Sequence, residues 1–272
     1  MIRVRNLVKR FDGRAVLDGI NLDVLPGETM VIMGGSGCGK STLLRHLVGS
    51  MVGDEGSVEL FGKDLALVSE EELDAVRKRF GILFQSGALF NSMTVGENVA
   101  LPLREHTDLD EDTIDIIVKI KLELVGLREA SDRMPAELSG GMKKRAGLAR
   151  AIALDPEVLF YDEPSAGLDP VTSAEIDQLI MDLSNKLGVT SVVVTHEMDS
   201  AFRIARRMTM LDRGRVLKVG TLEEFATLRD NWAGGSEDDE LIRQFLRGDS
   251  QGPITRRRRS SNNYEQDILE SC

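Results

Sequence analysis

Apolar residues follow three kinds of pattern along the chain, and each kind predicts a different type of element. Alternating apolar and polar residues, which predict strands of an antiparallel entry, occupy residues 2–8, 16–24 and 29–33. Continuous apolar runs, typical of strands buried on both faces of a parallel sheet, occupy residues 30–33, 81–84, 158–161 and 191–194. Between residues 114 and 125 the apolar residues recur with the period of a helix.

Together these patterns predict an α/β fold. We expect a core of mostly parallel sheet, an antiparallel β-subdomain built from the first strands, and a mostly helical subdomain inserted after Gln85. The expected boundaries are an α/β domain over 1–228 with its helical insertion at 86–155, a helical extension over 229–248 and a polar tail over 249–272.

A glycine-rich stretch connects the first buried strand to a helix-like apolar segment. It consists of Gly34, Gly35, Ser36, Gly37, Cys38, Gly39, Lys40, Ser41 and Thr42, which fits the phosphate-loop pattern. Its backbone N–H groups, the following helix N-terminus and Lys40 would bind phosphates, while the hydroxyls of Ser41 and Thr42 would reach Mg²⁺. A flexible Gly/Ser linker is the alternative, but linkers seldom join a buried strand to an apolar helix. We therefore predict the core of a phosphate-loop nucleotide hydrolase.

Each continuous apolar run ends in a group capable of phosphate or metal chemistry. The phosphate loop follows the first run, Gln85 the second, Asp162 and Glu163 the third, and His196 the fourth. Ligands of open α/β sheets bind beyond the carboxyl ends of the strands. We therefore expect all four groups to face one site.

The residue types at these strand ends match the needs of nucleoside triphosphate hydrolysis. Asp162 would hold Mg²⁺, Glu163 would polarise the attacking water as general base, and Pro164 would keep Glu163 extended toward the site. His196 would hydrogen-bond the γ-phosphate or the water. Gln85 would ligate Mg²⁺ or water and link the site to the helical insertion. The structural alternatives are an acidic strand end, a structural histidine and a strand cap.

Two further features concern the ends of the nucleotide. Phe11 stands beside a turn, where its ring could stack on adenine or simply close the end of a small β-layer. Ser139, followed by Gly140 and Gly141, would cap a second helix and leave its N-terminal N–H groups open to phosphate. A symmetric dimer could bring this second half-site of one subunit onto the nucleotide of the other.

Composition narrows the setting. The 272 residues are 42% hydrophobic, yet no apolar run approaches the roughly 20 residues that cross a bilayer, and the alternating start does not resemble a signal peptide. The cysteines, Cys38 and Cys272, form no disulfide framework, so we expect a cytoplasmic protein. A formal net charge of −11 disfavours general nucleic-acid binding.

In order and spacing, GGSGCGKST, Gln85, LSGGM, VLFYDEP, SAGLD and His196 resemble the ATP-binding cassette (ABC) ATPases, the motor subunits of ABC transporters. The resemblance covers about residues 1–225 and implies the ABC ATPase fold, with ATP and Mg²⁺ bound between the subunits of a homodimer. It implies that Phe11 stacks on adenine, that Gln85 is the coupling glutamine and that His196 is the switch histidine. It also implies that Ser139, Gly140 and Gly141 contact the partner's γ-phosphate, and that Asp169 lies at the dimer contact. Met142 departs from the usual glutamine.

A narrower resemblance rests on residues 84–90, residues 102–107 and Met142, which are similar to the ATPases of Mla and Mce lipid-transport systems. It implies transport of phospholipid or a related lipid, an integral-membrane permease, an Mce-type lipid-binding protein and, in some relatives, a small regulatory protein. The ATPase would then lie on the cytoplasmic face of the inner membrane.

Other functions compete with this interpretation. One is the ATPase of a polar-solute importer, for example for amino acids, and another is a soluble ABC ATPase of DNA repair or translation. The latter usually carries two cassettes or a long coiled coil, and this chain shows neither. A catalytically silent scaffold is disfavoured because Lys40, Asp162, Glu163 and His196 are all present.

The polar tail carries four consecutive arginines, at 256–259, followed by serines and asparagines. This composition predicts disorder from residue 249 onward. The alternative is that the arginines contact anionic lipid headgroups or the partner subunit.

Overall fold

The computed structural model describes residues 1–231 and 234–261, with side chains described as far as Arg257. The strands in these ranges are β1 Ile2–Phe11, β2 Arg14–Val24, β3 Thr29–Gly34, β4 Glu55–Leu60, β5 Lys63–Asp64, β6 Phe80–Leu83, β7 Val158–Asp162, β8 Thr190–Val194, β9 Arg207–Asp212 and β10 Arg215–Thr221. The helices are α1 Lys40–Leu47, α2 Glu70–Arg77, α3 Val95–His106, α4 Glu111–Leu124, α5 Gly140–Ala151, α6 Pro170–Leu187, α7 Met198–Ile204, α8 Leu222–Asp230, α9 Glu237–Arg247 and α10 Pro253–Ser261.

The strands form two sheets. An antiparallel sheet has the order β2-β1-β4-β5, and a six-stranded sheet has the order β10-β9-β3-β8-β7-β6. Strands β3, β6, β7, β8 and β9 run parallel, while β10 pairs antiparallel with β9. This confirms the predicted α/β fold with its mostly parallel core and antiparallel β-subdomain.

The larger sheet lies between two apolar layers, because alternate residues of its central strands point to opposite faces. On β7, Leu159 and Tyr161 join a cluster that includes the apolar faces of α3, α4, α5 and α6. Val158 and Phe160 join the other cluster, which includes the antiparallel sheet and α1. The sheet edge where the parallel strands end therefore lies between the β-subdomain and the helical insertion.

The helical insertion is held to the core mainly through α5. Helix α3 packs on both α4 and α5, and α5 packs in turn on β6 and α6. Helix α5 begins at Gly140 because the Ser139 hydroxyl accepts a hydrogen bond from the Met142 N–H at 3.3 Å. The predicted cap is thus present, and the helix starts three residues before the basic stretch at 143.

The last described residues, 249–261, differ from the predicted disorder. Residues Pro253–Ser261 form α10, which packs on α9. Gln244 of α9 connects the two helices, since its side-chain oxygen accepts from the Ile254 N–H at 2.7 Å and its amide donates to the Asp249 carbonyl at 3.0 Å. Disorder is therefore the wrong prediction for this helix, while residues 262–272 lie outside the described ranges. Within those ranges, none of the helices combines the length and apolar character that a bilayer crossing requires.

Candidate active site

The phosphate loop lies between β3 and α1, as predicted. Gly34 and Gly39 have φ angles of 152° and 111°, and each packs too closely for a side chain. A Cβ on Gly34 would lie 2.3 Å from the Leu211 carbonyl oxygen, and one on Gly39 would lie 2.9 Å from the Val16 carbonyl oxygen. Glycine at these two positions is what allows the loop to close against its neighbours.

Lys40 begins α1 and is 8% exposed. Its ammonium group donates to the carbonyl oxygens of Gly34 at 2.8 Å and Gly35 at 3.2 Å. The lysine therefore points back over the loop, where its charge can meet a bound phosphate.

The loop is anchored to the turn between β9 and β10. The Gly214 N–H donates to the Cys38 carbonyl at 3.0 Å, and the Gly214 carbonyl accepts from the Asp18 N–H at 2.8 Å. A cavity of about 770 Å³ beside the loop is lined by residues of β2, this turn, α9 and α10. Arg257 of α10 lies 3.6 Å from Asp212 at that turn, so the C-terminal helices border the phosphate loop.

Asp162 ends β7 and lines a second cavity together with Ser41 and Gln85. Burial raises the pKa of the Asp162 carboxyl above its ordinary range, and the adjacent Glu163 carboxylate raises it further. Carboxylate and hydroxyl oxygens are hard donors of the kind that Mg²⁺ takes together with substrate phosphates, so Asp162 and Ser41 fit such an ion. Gln85 is exposed at the border of the helical insertion.

Glu163 has a φ of 49°, so the prediction that Pro164 keeps it extended is wrong. The Glu163 N–H donates to the Val194 carbonyl at 2.9 Å, and its own carbonyl accepts from the Lys144 ammonium at 2.9 Å and the Ala166 N–H at 3.2 Å. A left-handed backbone conformation is costly for a residue with a long side chain, and it is typical of functional turns. Bonds from α5, β8 and the turn at Ala166 hold the backbone in this conformation.

His196 lies directly beside the Glu163 carboxylate. Its Nδ1 is 2.9 Å from Glu163 Oε1, and its backbone N–H donates to Oε2 at 3.3 Å. The Glu163 side chain is 13% exposed, whereas that of His196 is 57% exposed. The two residues form a hydrogen-bonded pair at the adjacent ends of β7 and β8, open to solvent on the histidine side.

Four strand-end groups therefore meet as predicted. The phosphate loop, Gln85, Asp162 with Glu163, and His196 follow β3, β6, β7 and β8, which lie side by side in one sheet. Two residues that the sequence did not single out also belong here. Lys144 holds the Glu163 carbonyl, and Asn98 binds the loop that follows Gln85.

Comparison with known proteins gives the family. The ABC transporter family model matches residues 17–166. The intermembrane phospholipid transport system ATP-binding protein MlaF of Haemophilus influenzae is 42% identical over 270 residues, which are 99% of this chain and 98% of MlaF. The probable ribonucleotide transport ATP-binding protein mkl of Mycobacterium leprae is 43% identical over 253 residues, 93% of this chain and 70% of its own.

A solved dimer of the ATP-binding cassette MJ0796 in a post-hydrolysis state, bound to ADP and Pi, has a TM-score of 0.75 and 30% identity. The match covers 82% of this chain and 99% of the MJ0796 chain.

The chain belongs to the ABC transporter family. The family resemblance inferred from the motifs is thereby confirmed, and the chain is an ABC-type ATP hydrolase.

The ABC signature residues lie apart from the phosphate loop of their own chain. Ser139 and Gly140 are exposed, while Gly141 packs against α6, where a Cβ would lie 2.5 Å from the Thr172 methyl carbon. Asp169 is exposed and caps α6, its carboxylate accepting from the N–H groups of Val171 and Thr172 at 3.0 Å. No hydrogen bond within residues 1–231 and 234–261 joins residues 139–141 to the phosphate loop. Their contact with a nucleotide stays a prediction that requires a second subunit.

The proposed adenine platform of the ABC site stands at the other end of the loop. Phe11 is 43% exposed and pairs with Arg14 across the turn between β1 and β2, and the Lys9 ammonium lies 5.7 Å from its ring centroid. Arg14, Ala15 and Val16 line the cavity beside the phosphate loop. An exposed ring next to that cavity is consistent with stacking, which stays a prediction.

Proposed function

We propose that this ATPase drives the transport of phospholipid or a related lipid between membranes. The observation that carries the proposal is the match to MlaF, which extends over 99% of this chain and therefore includes the helical insertion and the C-terminal helices as well as the shared cassette. The mkl relative, described as a probable ribonucleotide transport protein, is covered over only 70% of its length. The lipid function is therefore preferred to transport of a polar solute.

The working unit would be a homodimer that binds two ATP molecules. Each phosphate loop would hold ATP together with the exposed N-terminus of the partner's α5, at Ser139 and Gly140. The dimeric MJ0796 cassette supports such an arrangement, and so does the separation of residues 139–141 from the loop of their own chain. Lys40 would exchange its bonds to loop carbonyls for bonds to the phosphates. Asp162 and Ser41 would hold Mg²⁺, which supplies positive charge to offset that of the phosphates.

The residues at the strand ends would carry out the proton transfer. Glu163 Oε1 lies 2.9 Å from His196 Nδ1, so the histidine donates to the carboxylate when the proton is on Nδ1. In the proposed reaction His196 turns toward the γ-phosphate, and Glu163 accepts a proton from the attacking water. Closure of the dimer would thus separate the pair and free the carboxylate at the moment of hydrolysis.

A groove between the core and the helical insertion would receive the permease. It encloses the second cavity described above, which has a volume of about 1060 Å³. The exposed rings of Phe84 and Phe90 and the side chain of Leu101 also line this cavity. Arg77 and Glu105 add charges of both signs. An exposed apolar groove with charged residues suits an amphipathic helix of a membrane protein. Gln85 lies in the same groove, so the nucleotide site and the permease would share this wall.

The proposal is tested by purifying the tagged protein from detergent-solubilised membranes and identifying the proteins and lipids that accompany it. We expect a multi-span permease, an Mce-type lipid-binding protein and bound phospholipid. A permease with a soluble-solute receptor would place the protein among the importers, and the absence of any membrane partner would support a soluble ATPase. A small regulatory protein would be seen in the same experiment.

Two variants sharpen this test. Leu101→Asp in the groove should abolish recovery of the permease while ATP binding is kept. Leu67→Asp is the matched control, because Leu67 is 83% exposed and lies outside the groove. Glu163→Gln should retain ATP and the closed dimer but lose turnover, and continued turnover would refute the role of Glu163.

A further inference from the structure

Helix α5 passes several functional elements within twelve residues. Its exposed N-terminus carries the signature residues, and the Lys144 side chain reaches Glu163. Further along, Gly147 packs on the loop after Gln85, and the Arg150 guanidinium donates to the Gly87 carbonyl of that loop at 3.0 Å. One helix thus contacts both the turn at Glu163 and the loop after Gln85 of its own subunit.

Lys144 makes the contact with the turn at Glu163. It is 4% exposed, and its ammonium group donates to the Glu163 carbonyl oxygen at 2.9 Å, across a sequence separation of 19 residues. Burial lowers the pKa of Lys144, while the carboxylates of Glu163, Glu197 and Asp162 oppose that change. Burying an ammonium group is costly unless it is hydrogen-bonded and paired, and here the Glu163 carbonyl and these carboxylates offset that cost.

The orientation of the Glu163 carbonyl matters because of the strained backbone beside it. With φ at 49°, the direction of the side chain depends on the bonds that hold the peptide groups on both sides. Val194 fixes the N–H side, and Lys144 together with Ala166 fixes the carbonyl side. A movement of α5 is therefore transmitted by Lys144 to the backbone carbonyl of Glu163, the proposed general base.

We propose that Lys144 is a positioning residue that couples capture of the partner's nucleotide by the N-terminus of α5 to the placement of Glu163 in the same subunit. This inference rests on the proposed dimer, in which residues 139–141 serve the partner's nucleotide. Lys144 lies only three to five residues from them, about 5–8 Å along the helix axis. Each subunit then aligns its own general base when it closes on the other subunit's ATP.

The test compares Lys144→Met with Lys144→Arg and Lys143→Met in the full-length protein. Methionine keeps most of the apolar stem but cannot donate to the carbonyl, whereas arginine can. Lys143 is the adjacent lysine, and its side chain forms no hydrogen bond or ion pair within the described part of the chain. The measurements are kcat, KM and the Hill coefficient for ATP, with ATP affinity measured in the Glu163→Gln background.

For Lys144→Met we expect kcat to fall by about 100-fold, the effect of displacing a catalytic group by roughly 1 Å. KM should change by less than about twofold, and the Hill coefficient should fall toward one. Lys144→Arg should restore a large part of kcat and of the cooperativity, and Lys143→Met should match the wild type. Should Lys144→Met misfold, the arginine variant alone still tests the idea, because it must retain cooperativity.

A Hill coefficient that stays at the wild-type value in Lys144→Met would overturn the coupling, and an unchanged kcat would overturn the positioning role. The failure of the proposed dimer looks different. In that case the wild-type protein hydrolyses ATP without cooperativity, and the Glu163→Gln variant stays monomeric when it binds ATP.

A mixed dimer separates the two subunits' contributions. One subunit keeps Glu163 and the other carries Glu163→Gln, so hydrolysis occurs at one site. Lys144→Met should slow hydrolysis when placed in the subunit with the intact Glu163, and have little effect in the other. Equal slowing in both placements would show that Lys144 does not act on its own subunit's general base.

Discussion

Replacing Asn98 with alanine is expected to release the loop that follows Gln85 from helix α3. Asn98 is fully buried on α3. Its side-chain oxygen accepts from the Phe90 N–H at 2.8 Å, and its amide donates to the carbonyls of Phe90 at 3.1 Å, Met93 at 3.2 Å and Thr94 at 2.9 Å. One side chain thus joins both ends of the segment from Phe90 to Thr94.

The magnitude follows from the bonds that are lost. The amide has two hydrogens for three carbonyls, so the side chain contributes about three hydrogen bonds in total. At about 1 kcal/mol each, their loss amounts to about 3 kcal/mol. Phe90 is half exposed, so hydrogen bonds to water replace part of the lost stabilisation. We therefore expect the free energy of local opening of the loop to fall by about 2–3 kcal/mol. Opening of the loop then becomes about 30- to 150-fold more frequent.

Hydrogen exchange is the direct assay, because the Phe90 amide hydrogen is itself bonded to Asn98. Its exchange should accelerate about 30- to 150-fold in Asn98→Ala, with little change at amides of the central sheet. The control is Asn91→Ala, since Asn91 is exposed in the same loop. ATP binding should persist in both variants, while recovery of the permease should fall for Asn98→Ala alone. Equal exchange of the Phe90 amide in the two alanine variants would refute the reasoning.

Three further predictions concern charge, pH and the C-terminus. Asp162→Asn should raise the free energy of unfolding, because burial disfavours the carboxylate, and should abolish Mg²⁺-dependent phosphate release. A lower free energy of unfolding in urea would contradict the expected gain in stability. Burial lowers the pKa of His46 below its ordinary 6.5, so the contribution of neutral His46 to the free energy of unfolding is complete above pH 6.5 and is lost as the pH falls through the folded-state pKa. His46→Gln should reduce this loss of stability at acid pH, and an unchanged pH dependence of the free energy of unfolding would refute the prediction. Deleting residues 249–272 should weaken assembly of the dimer or the transporter complex, measured by light scattering and co-purification; unchanged assembly would exclude a role for the tail.

Much of the site could be predicted because its parts are local in sequence. The phosphate loop is one contiguous stretch, and Gln85, Asp162 and His196 each stand directly after an apolar run. Parallel strands buried on both faces place their carboxyl ends at one edge, so the order of strands did not have to be known to bring these groups together. The strand order, β3-β8-β7-β6 in this part of the sheet, came from the structure.

Two predictions failed because a contact with a residue distant in sequence outweighed a local sequence preference. Pro164 favours an extended Glu163, but bonds from Lys144 and Val194 hold the residue at positive φ. The composition after residue 249 favours disorder, but Gln244 of the preceding helix satisfies the start of α10.

The sequence by itself determined the fold class and the family and predicted the residues of the nucleotide site, since each rests on a contiguous motif or on periodicity. Only the tertiary structure distinguished Lys144 from its neighbour Lys143, or Asn98 from Asn91, because identical residue types differ in function through the partners that packing brings to them. Those partners stand on other elements, 19 residues away for Lys144, and local patterns do not encode which face of a helix will meet them. The physical reason is that burial and hydrogen bonding are properties of the assembled core, whereas periodicity reports only which positions favour burial.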